Sequence, residues 1–180
     1  MKKLSVILAG MLLCLAAATV IGQKQNLTPK QERREIREKR RAQRIAEFEQ
    51  SMDSTILSRN FKFSPQTMQR QPAGQMRQIL NPHFDLQVWD GTVEICLPYI
   101  KGYVPPYHVT MLNYTVSSVE NYVTEQTSEG WIVTFKSSLY SGSDYTFTLE
   151  VYSRTGGAVL TITNPWYSPV QYNGNITRIY

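Results

Sequence analysis

The stretch that decides the fold is GWIVTFKSSLYSGSDYTFTLEVYSRTGGAVLTITNP, residues Gly130–Pro165. Three runs rich in Val, Ile, Thr, Tyr and Phe are separated by Ser-Gly-Ser and Thr-Gly-Gly; they are Trp131–Ser137, Tyr145–Tyr152 and Ala158–Asn164. Runs of this kind, bounded by turn residues, predict consecutive β-strands. In the first two runs apolar side chains alternate with more polar ones, which indicates an antiparallel sheet with one buried face. The predicted buried set is Trp131, Val133, Phe135, Tyr145, Phe147, Leu149 and Val151.

Strand signals continue on both sides of this stretch. Asp90-Gly91 predicts a two-residue hairpin between alternating runs, and Val93, Ile95 and Leu97 share one face of the second run. We also predict a first strand over residues 60–64 that ends at Pro65, a loop over residues 66–81, an extended loop over residues 98–107 that begins at Pro98, and strands over residues 111–117 and 119–126. A hairpin turning at Asn173-Gly174 closes the chain. Eight to ten strands joined by short turns predict a mainly β fold, either an antiparallel β-sandwich or a barrel in a meander.

One long helix is predicted in front of the sheet. Thr28-Pro29-Lys30-Gln31 is typical of a helix start, because Thr28 is a good N-cap and Gln31 can complete a capping box. The helix should run from Pro29 to Leu57. Its first half is strongly charged, whereas apolar residues in the second half recur at helical spacing and should pack on the sheet. These apolar residues are Ile45, Phe48, Met52 and Ile56.

The first 22 residues have the pattern of a secretory signal peptide. Two lysines precede an uncharged stretch that ends among small residues, so we expect cleavage after Ala18 or Gly22 and an exported protein, periplasmic or extracellular. A retained membrane helix is the alternative; we expect no transmembrane segment in the mature chain. A lipid anchor at Cys14 is not expected, because Leu13 stands where that processing requires a small residue. The predicted organisation is a signal peptide (1–22), a charged helical spacer (23–58) and a β domain (59–180).

Positive charge is concentrated in the helix. The chain carries a net charge of +5, but residues from Ser51 onward hold eight basic and nine acidic side chains. The β domain is therefore nearly neutral, and no nucleic-acid-binding motif is present, so we expect no nucleic-acid partner. The interleaved acidic residues favour a solvated spacer for the basic half of the helix. A contact with anionic lipid headgroups or an acidic partner is the alternative.

Catalytic patterns are missing from the sequence. It contains no nucleophile elbow, zinc-protease helix, Cys-x-x-Cys pair or phosphate-binding loop, and only two histidines and two cysteines. We therefore expect no catalytic residue, no metal and no cofactor, and a protein that is not an enzyme. Cys96 is expected to be a shielded residue. Asp85 and Glu94, on either side of the Asp90-Gly91 hairpin, are the alternative: an acid–base pair acting on a glycan.

Aromatic residues provide the best candidates for binding. All eleven tyrosines follow residue 98, and four aromatic residues lie beside prolines in predicted loops: Tyr103, Tyr107, Trp166 and Tyr167. Tyrosine and tryptophan on loops offer a flat apolar surface with a polar tip, which suits sugar rings or a protein partner. The sequence thus favours a noncatalytic binding or structural module of the cell envelope. The alternatives are a carrier with a lipid-like ligand in an apolar barrel cavity and, less favoured, a glycan-acting enzyme.

Several motifs resemble one known family. They are EFEQSMDSTILSRNFKF (Glu47–Phe63), PAGQM (Pro72–Met76), WDGTVEICLPYIKGY (Trp89–Tyr103) and TITNPWYSPVQYNGNI (Thr161–Ile176). In this order, behind a lysine-started signal, they resemble the exported Bacteroidetes family catalogued as domain of unknown function 4251 (DUF4251). The resemblance covers nearly the whole mature chain. It implies an exported, β-rich bacterial domain and brings no activity, ligand or site residue with it.

Overall fold

The residues that the structure describes form one helix and ten strands. A computed structural model describes residues 28–102, 105–117, 119–140 and 143–179. The predicted signal peptide with Cys14, and the candidate residue Tyr103, lie outside the described residues. The elements are α1 (Pro29–Leu57), β1 (Phe61–Arg70), β2 (Arg77–Gln78), β3 (Asp85–Trp89), β4 (Thr92–Lys101), β5 (His108–Val116), β6 (Glu120–Gln126), β7 (Gly130–Tyr140), β8 (Ser143–Tyr152), β9 (Gly157–Asn164) and β10 (Tyr167–Arg178).

The strands form a single antiparallel sheet that curls into a half-barrel. Nine strands follow the order β5-β4-β3-β1-β10-β9-β8-β7-β6, and the short β2 pairs with β1 beside β3. Neighbours along the chain pair in most of the sheet, and the contact between β1 and β10 joins its two meanders. The predicted mainly β fold with one long N-terminal helix is confirmed.

The concave face of the sheet holds the core. Every side chain of the predicted buried set on β7 and β8 is buried, and Val93, Ile95 and Leu97 on β4 are buried with them. Aromatic rings fill much of the interior; the largest fully buried side chains include Tyr99, Tyr172, Phe61, Phe63, Phe135 and Phe147. Alternation in the sequence therefore identified the buried face correctly, because side chains on a strand point to the two faces in turn.

A hydrogen bond crosses the interior of the half-barrel. The hydroxyl of Tyr172 on β10 donates to the backbone oxygen of Pro98 on β4 at 2.6 Å. Burial, and then the nearby phenol of Tyr99, raises the pKa of Tyr172 well above its usual value. The phenol therefore stays protonated and remains a donor. The bond joins two strands that are not neighbours in the sheet, and so helps to hold the curl.

Two predicted strand ends, both at prolines, are wrong. Strand β1 does not end at Pro65 but continues to Arg70 through a bulge between Pro65 and Thr67, so part of the predicted 66–81 loop is strand. Strand β4 continues through Pro98 to Lys101. Strand β3 pairs with β4 only as far as Cys96, so β4 has one neighbour in the ladder at Pro98 and tolerates a residue without an N–H.

The predicted Asn173-Gly174 turn lies inside β10. Gly174 pairs with Pro65 on one side and with Ala158 on the other. A Cβ at Gly174 would overlap the backbone oxygen of Ser64. The glycine therefore allows the bulged part of β1 to approach β10 closely, and it does not turn the chain.

Helix α1 begins and ends where the sequence predicts. The chain divides into two compact units between Arg41 and Ala42. In the first unit, Gln31 Oε1 accepts a hydrogen bond of 2.9 Å from Thr28 N, as in the predicted capping box, and residues 28–41 are exposed. In the second unit Met52 and Ile56 are buried. Phe48 is exposed, so the packed stripe is shorter than predicted.

Candidate functional site

The first candidate site lies at one end of the sheet. Strands β1 and β4 end there at Arg70 and Lys101, and β5 and β10 begin there. Together with Tyr107 and the turn between β9 and β10, these strand ends bring aromatic and basic side chains close to one another. We call this site the aromatic end; it consists of Arg70, Lys101, Tyr107, Trp166, Tyr167 and Ser168.

Two basic side chains lie over tyrosine rings at the aromatic end. The Arg70 guanidinium carbon is 4.0 Å from the centre of the Tyr107 ring, and its Nη1 is 3.4 Å from Ser168 Oγ. Lys101 Nζ is 5.9 Å from the centre of the Tyr167 ring. All four charged and aromatic side chains are half-buried. Cation–π attraction therefore orients these groups while leaving part of each accessible to water.

Trp166 projects from a well-anchored turn. The side-chain oxygen of Asn164, itself buried, accepts a hydrogen bond of 2.8 Å from Trp166 N. The tryptophan side chain is nevertheless 60% exposed. Since its backbone is held and its ring lies in solvent, Trp166 offers a contact surface that does not have to become ordered first.

Three of the four predicted binding residues are described, and they lie in the same part of the fold. Tyr107 and Tyr167 come from segments about sixty residues apart in sequence and are linked by Arg70, which contacts the Tyr107 ring and Ser168. Sequence reasoning missed Arg70 and Lys101. Their aromatic partners, Tyr107 and Tyr167, belong to segments remote in sequence, so no local pattern predicts these contacts.

A second candidate site is a cleft at the opposite end of the sheet, beside the second half of α1. We call it the helix-end cleft. It has a volume of about 540 Å³, and its walls are Glu49 and Asp53 of the helix, residues 126–130 between β6 and β7, and residues 152–155 between β8 and β9. Among these residues Glu49, Asp53 and Glu129 are acidic and Arg154 is basic, so acidic groups predominate.

Asp53 is engaged in the packing of this cleft. Its Oδ1 accepts a hydrogen bond of 2.7 Å from Trp131 Nε1 and one of 3.0 Å from Ser153 Oγ. Both donors belong to buried residues and need an acceptor. The carboxylate therefore joins the helix to β7 and to the end of β8. We interpret it first as a structural group.

A smaller pocket of about 250 Å³ lies at the same end, between the Asp90-Gly91 hairpin and the start of β6. Its walls include Arg59, Val88, Val93 and Tyr122. The Arg59 guanidinium carbon is 4.3 Å from the centre of the Tyr122 ring. Burial raises the pKa of Tyr122 to about 12, although the Arg59 charge opposes the increase.

The alternative acid–base pair, Asp85 and Glu94, lies on neighbouring strands β3 and β4. Asp85 pairs in register with Cys96, and Glu94 with Gln87, so the two carboxylates are diagonal neighbours on the outer face. Asp85 Oδ2 is 2.7 Å from Lys62 Nζ. The Asp85 carboxylate is therefore engaged by Lys62 and is not a free group facing Glu94 across a cleft, as a glycan-acting pair requires. Cys96 is half-buried on the same face.

Metal ligands are not grouped in the described ranges, where no three His, Cys, Asp or Glu side chains could hold an ion together. Within those ranges no helix has both the length and the apolar character to cross a membrane. The aromatic end itself offers hydrogen-bond donors, aromatic rings and positive charge.

Known proteins share this fold. The sequence model described as domain of unknown function (DUF4251) matches residues 43–176. Three solved chains match the structure. One is the crystal structure of a DUF4251 family protein from Bacteroides eggerthii DSM 20697, which has 16% sequence identity and a TM-score of 0.56 over 74% of this chain and 91% of that chain. At this identity the likeness shows the fold alone. No curated protein matches the sequence.

Proposed function

Since this chain belongs to the DUF4251 family, whose function is unknown, we propose a role from its own residues: a noncatalytic module of the cell envelope that binds glycan through the aromatic end. The observation that carries the proposal is the grouping of Tyr107, Trp166 and Tyr167 from two distant segments at one end of the sheet. Sugar rings present apolar C–H faces and hydroxyl groups. Aromatic faces with polar neighbours complement both.

Trp166 is the main contact in this proposal. Its ring is largely exposed on an anchored turn. Tyr107 and Tyr167 add half-buried rings with hydroxyl groups at the same end of the sheet, and Arg70 and Ser168 add hydrogen-bond donors. A stacked sugar would therefore find an apolar platform and donors at its edge. Tyr103, outside the described residues, stays a predicted member of this surface.

The carrier alternative is less well supported. A lipid-like ligand inside the half-barrel needs an open apolar interior. The interior observed here contains closely packed rings, such as Phe135 and Phe147 with centres 4.9 Å apart. The glycan-acting enzyme needs two free carboxylates across a cleft, and Asp85 is held by Lys62.

Export is part of the proposal, because an envelope glycan is met only outside the cytoplasm. It is supported by the charge and hydropathy pattern of residues 1–22. Mass spectrometry of the protein recovered from an envelope fraction should give a first residue of Thr19 if cleavage follows Ala18, or of Gln23 if it follows Gly22. A first residue of Met1 would contradict export through a cleaved signal.

Binding is tested with purified protein on two probes: insoluble peptidoglycan sacculi in co-sedimentation and soluble bacterial surface polysaccharide in native gel-shift. Trp166→Ala should weaken binding about fivefold, which corresponds to about 1 kcal/mol of lost aromatic contact. Trp89→Ala is the matched control. Trp89 is also exposed, at 43%, but it lies at the helix end of β3.

Wild-type protein that binds neither probe would overturn the glycan proposal. Equal binding by Trp166→Ala and wild type would show that the aromatic end is not the contact. Capture of one envelope protein, lost in Trp166→Ala while both glycans remain unbound, would replace glycan by a protein partner.

A further inference from the structure

Charge at the aromatic end has one sign. The residues of the aromatic end come from three segments of the described chain: 65–84, 97–102 with 105–110, and 164–173. They contain Arg70, Arg77, Lys101 and two histidines, His83 and His108, and no aspartate or glutamate. Asp85, which directly follows the first segment, is paired with Lys62. The β domain as a whole is nearly neutral, so this separation arises from the way in which the strands are arranged.

Arg70 is held in place without an acidic partner. Its backbone oxygen accepts a hydrogen bond of 2.7 Å from Gly74 N, and the next residue, Gln71, donates one of 2.8 Å from its N–H to Pro169 O. The guanidinium lies on the Tyr107 ring and close to Ser168 Oγ. Among the described residues it forms no ion pair. A positioned guanidinium thus remains available to an anion.

Lys101 provides a second cation in the same region. Its ammonium group faces the Tyr167 ring at 5.9 Å, and it too forms no ion pair in the described part of the chain. His108 is its register partner on β5. An anion approaching the tyrosines of the aromatic end therefore meets positive charge from β1 and from β4.

We propose that the glycan bound at the aromatic end is acidic, with carboxylate-bearing sugar units, and that Arg70 binds the carboxylate while an aromatic ring supports the sugar. This inference rests on the proposed function and specifies its ligand class. A guanidinium offers two parallel N–H donors that match a carboxylate, and it does so best when its position is already set. The helix-end cleft, rich in carboxylates, would repel the same ligand.

The experiment compares two forms of one polymer. Native affinity electrophoresis is run with alginate, a polymer of carboxylate-bearing sugars, and with carboxyl-reduced alginate, in which the acid groups are alcohols. Wild type should bind alginate at least about tenfold more tightly than the reduced polymer. Raising NaCl from about 0.05 to about 0.5 M should weaken binding to alginate and leave binding to the reduced polymer unchanged.

Single substitutions test whether Arg70 is responsible for the preference for alginate. Arg70→Gln should lose about tenfold in affinity for alginate and little for the reduced polymer, whereas Arg70→Lys should keep part of the preference because it retains the charge. Arg178→Gln, an exposed charge near the other end of β10, is the matched control and should bind as wild type does. Should Arg70→Gln fold poorly, the exposed Arg77→Gln and the salt series on wild type still test the charge.

Each outcome separates the two proposals. Equal affinity of wild type for both polymers overturns the acidic ligand and leaves the glycan module intact. Binding to neither polymer, together with no binding to sacculi or surface polysaccharide, overturns both. Tighter binding to phosphatidylglycerol vesicles than to alginate would show that the bound anion is a lipid phosphate and not a sugar carboxylate. An alginate affinity lowered as much by Arg178→Gln as by Arg70→Gln overturns the location.

Discussion

The two ends of the sheet use similar residue types for different purposes. At the helix end, Asp53 binds the donors of Trp131 and Ser153, and all three groups satisfy one another within the fold. At the aromatic end, Trp166 lies in solvent, and Arg70 has a ring and a hydroxyl for neighbours and, among the residues that the structure describes, no carboxylate partner. Polar groups that satisfy each other stabilise the protein, whereas groups that remain accessible are free to bind something else.

If cavity volume alone decided, the ligand site would be assigned to the helix end. The cleft of about 540 Å³ lies at the helix end, yet its central carboxylate is already engaged. The aromatic end is a surface, and a ligand could use its exposed ring and the two cations that form no ion pair within the described ranges. If this comparison is right, substitutions at the helix end should lower stability and substitutions at the aromatic end should lower binding.

The largest effect is expected at Gly130, in the turn that forms one wall of the helix-end cleft. Its φ is 154°, and a Cβ there would overlap the backbone oxygen of Val151. Gly130→Ala should therefore lower the free energy of unfolding by about 3–4 kcal/mol, because the backbone itself must move. Urea unfolding followed by circular dichroism measures the change.

Gly91→Ala is the control for Gly130. Gly91 also has a positive φ, 74°, but a Cβ there would meet no atom within 4 Å. Only the conformational penalty of about 1 kcal/mol should appear. Equal losses in the two variants would show that the close approach to Val151 contributes nothing.

Asp53→Ala should have the next largest effect on stability. It removes the acceptor of two buried donors, so we expect a loss of about 2–3 kcal/mol in unfolding free energy. Glu49→Ala changes a carboxylate on the same wall that makes no side-chain hydrogen bond in the described structure, and it should stay within about 0.5 kcal/mol of wild type. Both variants should bind polysaccharide normally. A binding defect in Asp53→Ala without loss of stability would assign the ligand site to the helix-end cleft.

Alkaline pH tests the packing of Tyr122 near Arg59. Its pKa is about 12 in the folded protein, above the usual 10, so the folded state holds the proton more tightly than the unfolded state. The stability contributed by the neutral phenol is complete below pH 10 and falls as pH rises towards 12. Between pH 9 and 11.5 the free energy of unfolding of Tyr122→Phe should fall by about 1 kcal/mol less than that of wild type. Parallel pH curves would indicate an accessible phenol.

The smallest effect on stability is expected at Trp166. Because its ring is largely exposed, Trp166→Ala should change the free energy of unfolding by less than about 0.5 kcal/mol while it weakens binding to glycan. Thermal melting and gel-shift of one preparation measure both. A large fall in melting temperature would mean that the ring is structural, and the comparison between the two ends would fail.

Local sequence patterns predicted the strands well but predicted the ends of the strands poorly. The alternation over β7 and β8 identified the buried residues because it depends only on neighbours along the chain. Pro65 and Pro98 predict strand ends, yet the first lies at a bulge in β1 and the second lies in a part of β4 that has only one strand partner in the ladder. Whether a proline ends a strand depends on which neighbour needs its missing N–H, and that neighbour is remote in sequence.

The site was predictable in part. Proline-flanked aromatics singled out Tyr107, Trp166 and Tyr167, and these do lie at one end of the sheet. Arg70 was missed because its contacts to Tyr107 and Ser168 join positions 37 and 98 residues away. Asp53 was missed for the same reason: its partners Trp131 and Ser153 follow 78 and 100 residues later.

By itself the sequence determined the capped helix, the mainly β character and the buried face of the central strands, since each follows from side chains a few positions apart. Only the tertiary structure decided that the chain forms one curled sheet, with basic and aromatic residues at one end and satisfied carboxylates at the other. The reason is that the register of β1 against β10, more than a hundred residues apart, is set by packing across the whole sheet. No local pattern encodes that register.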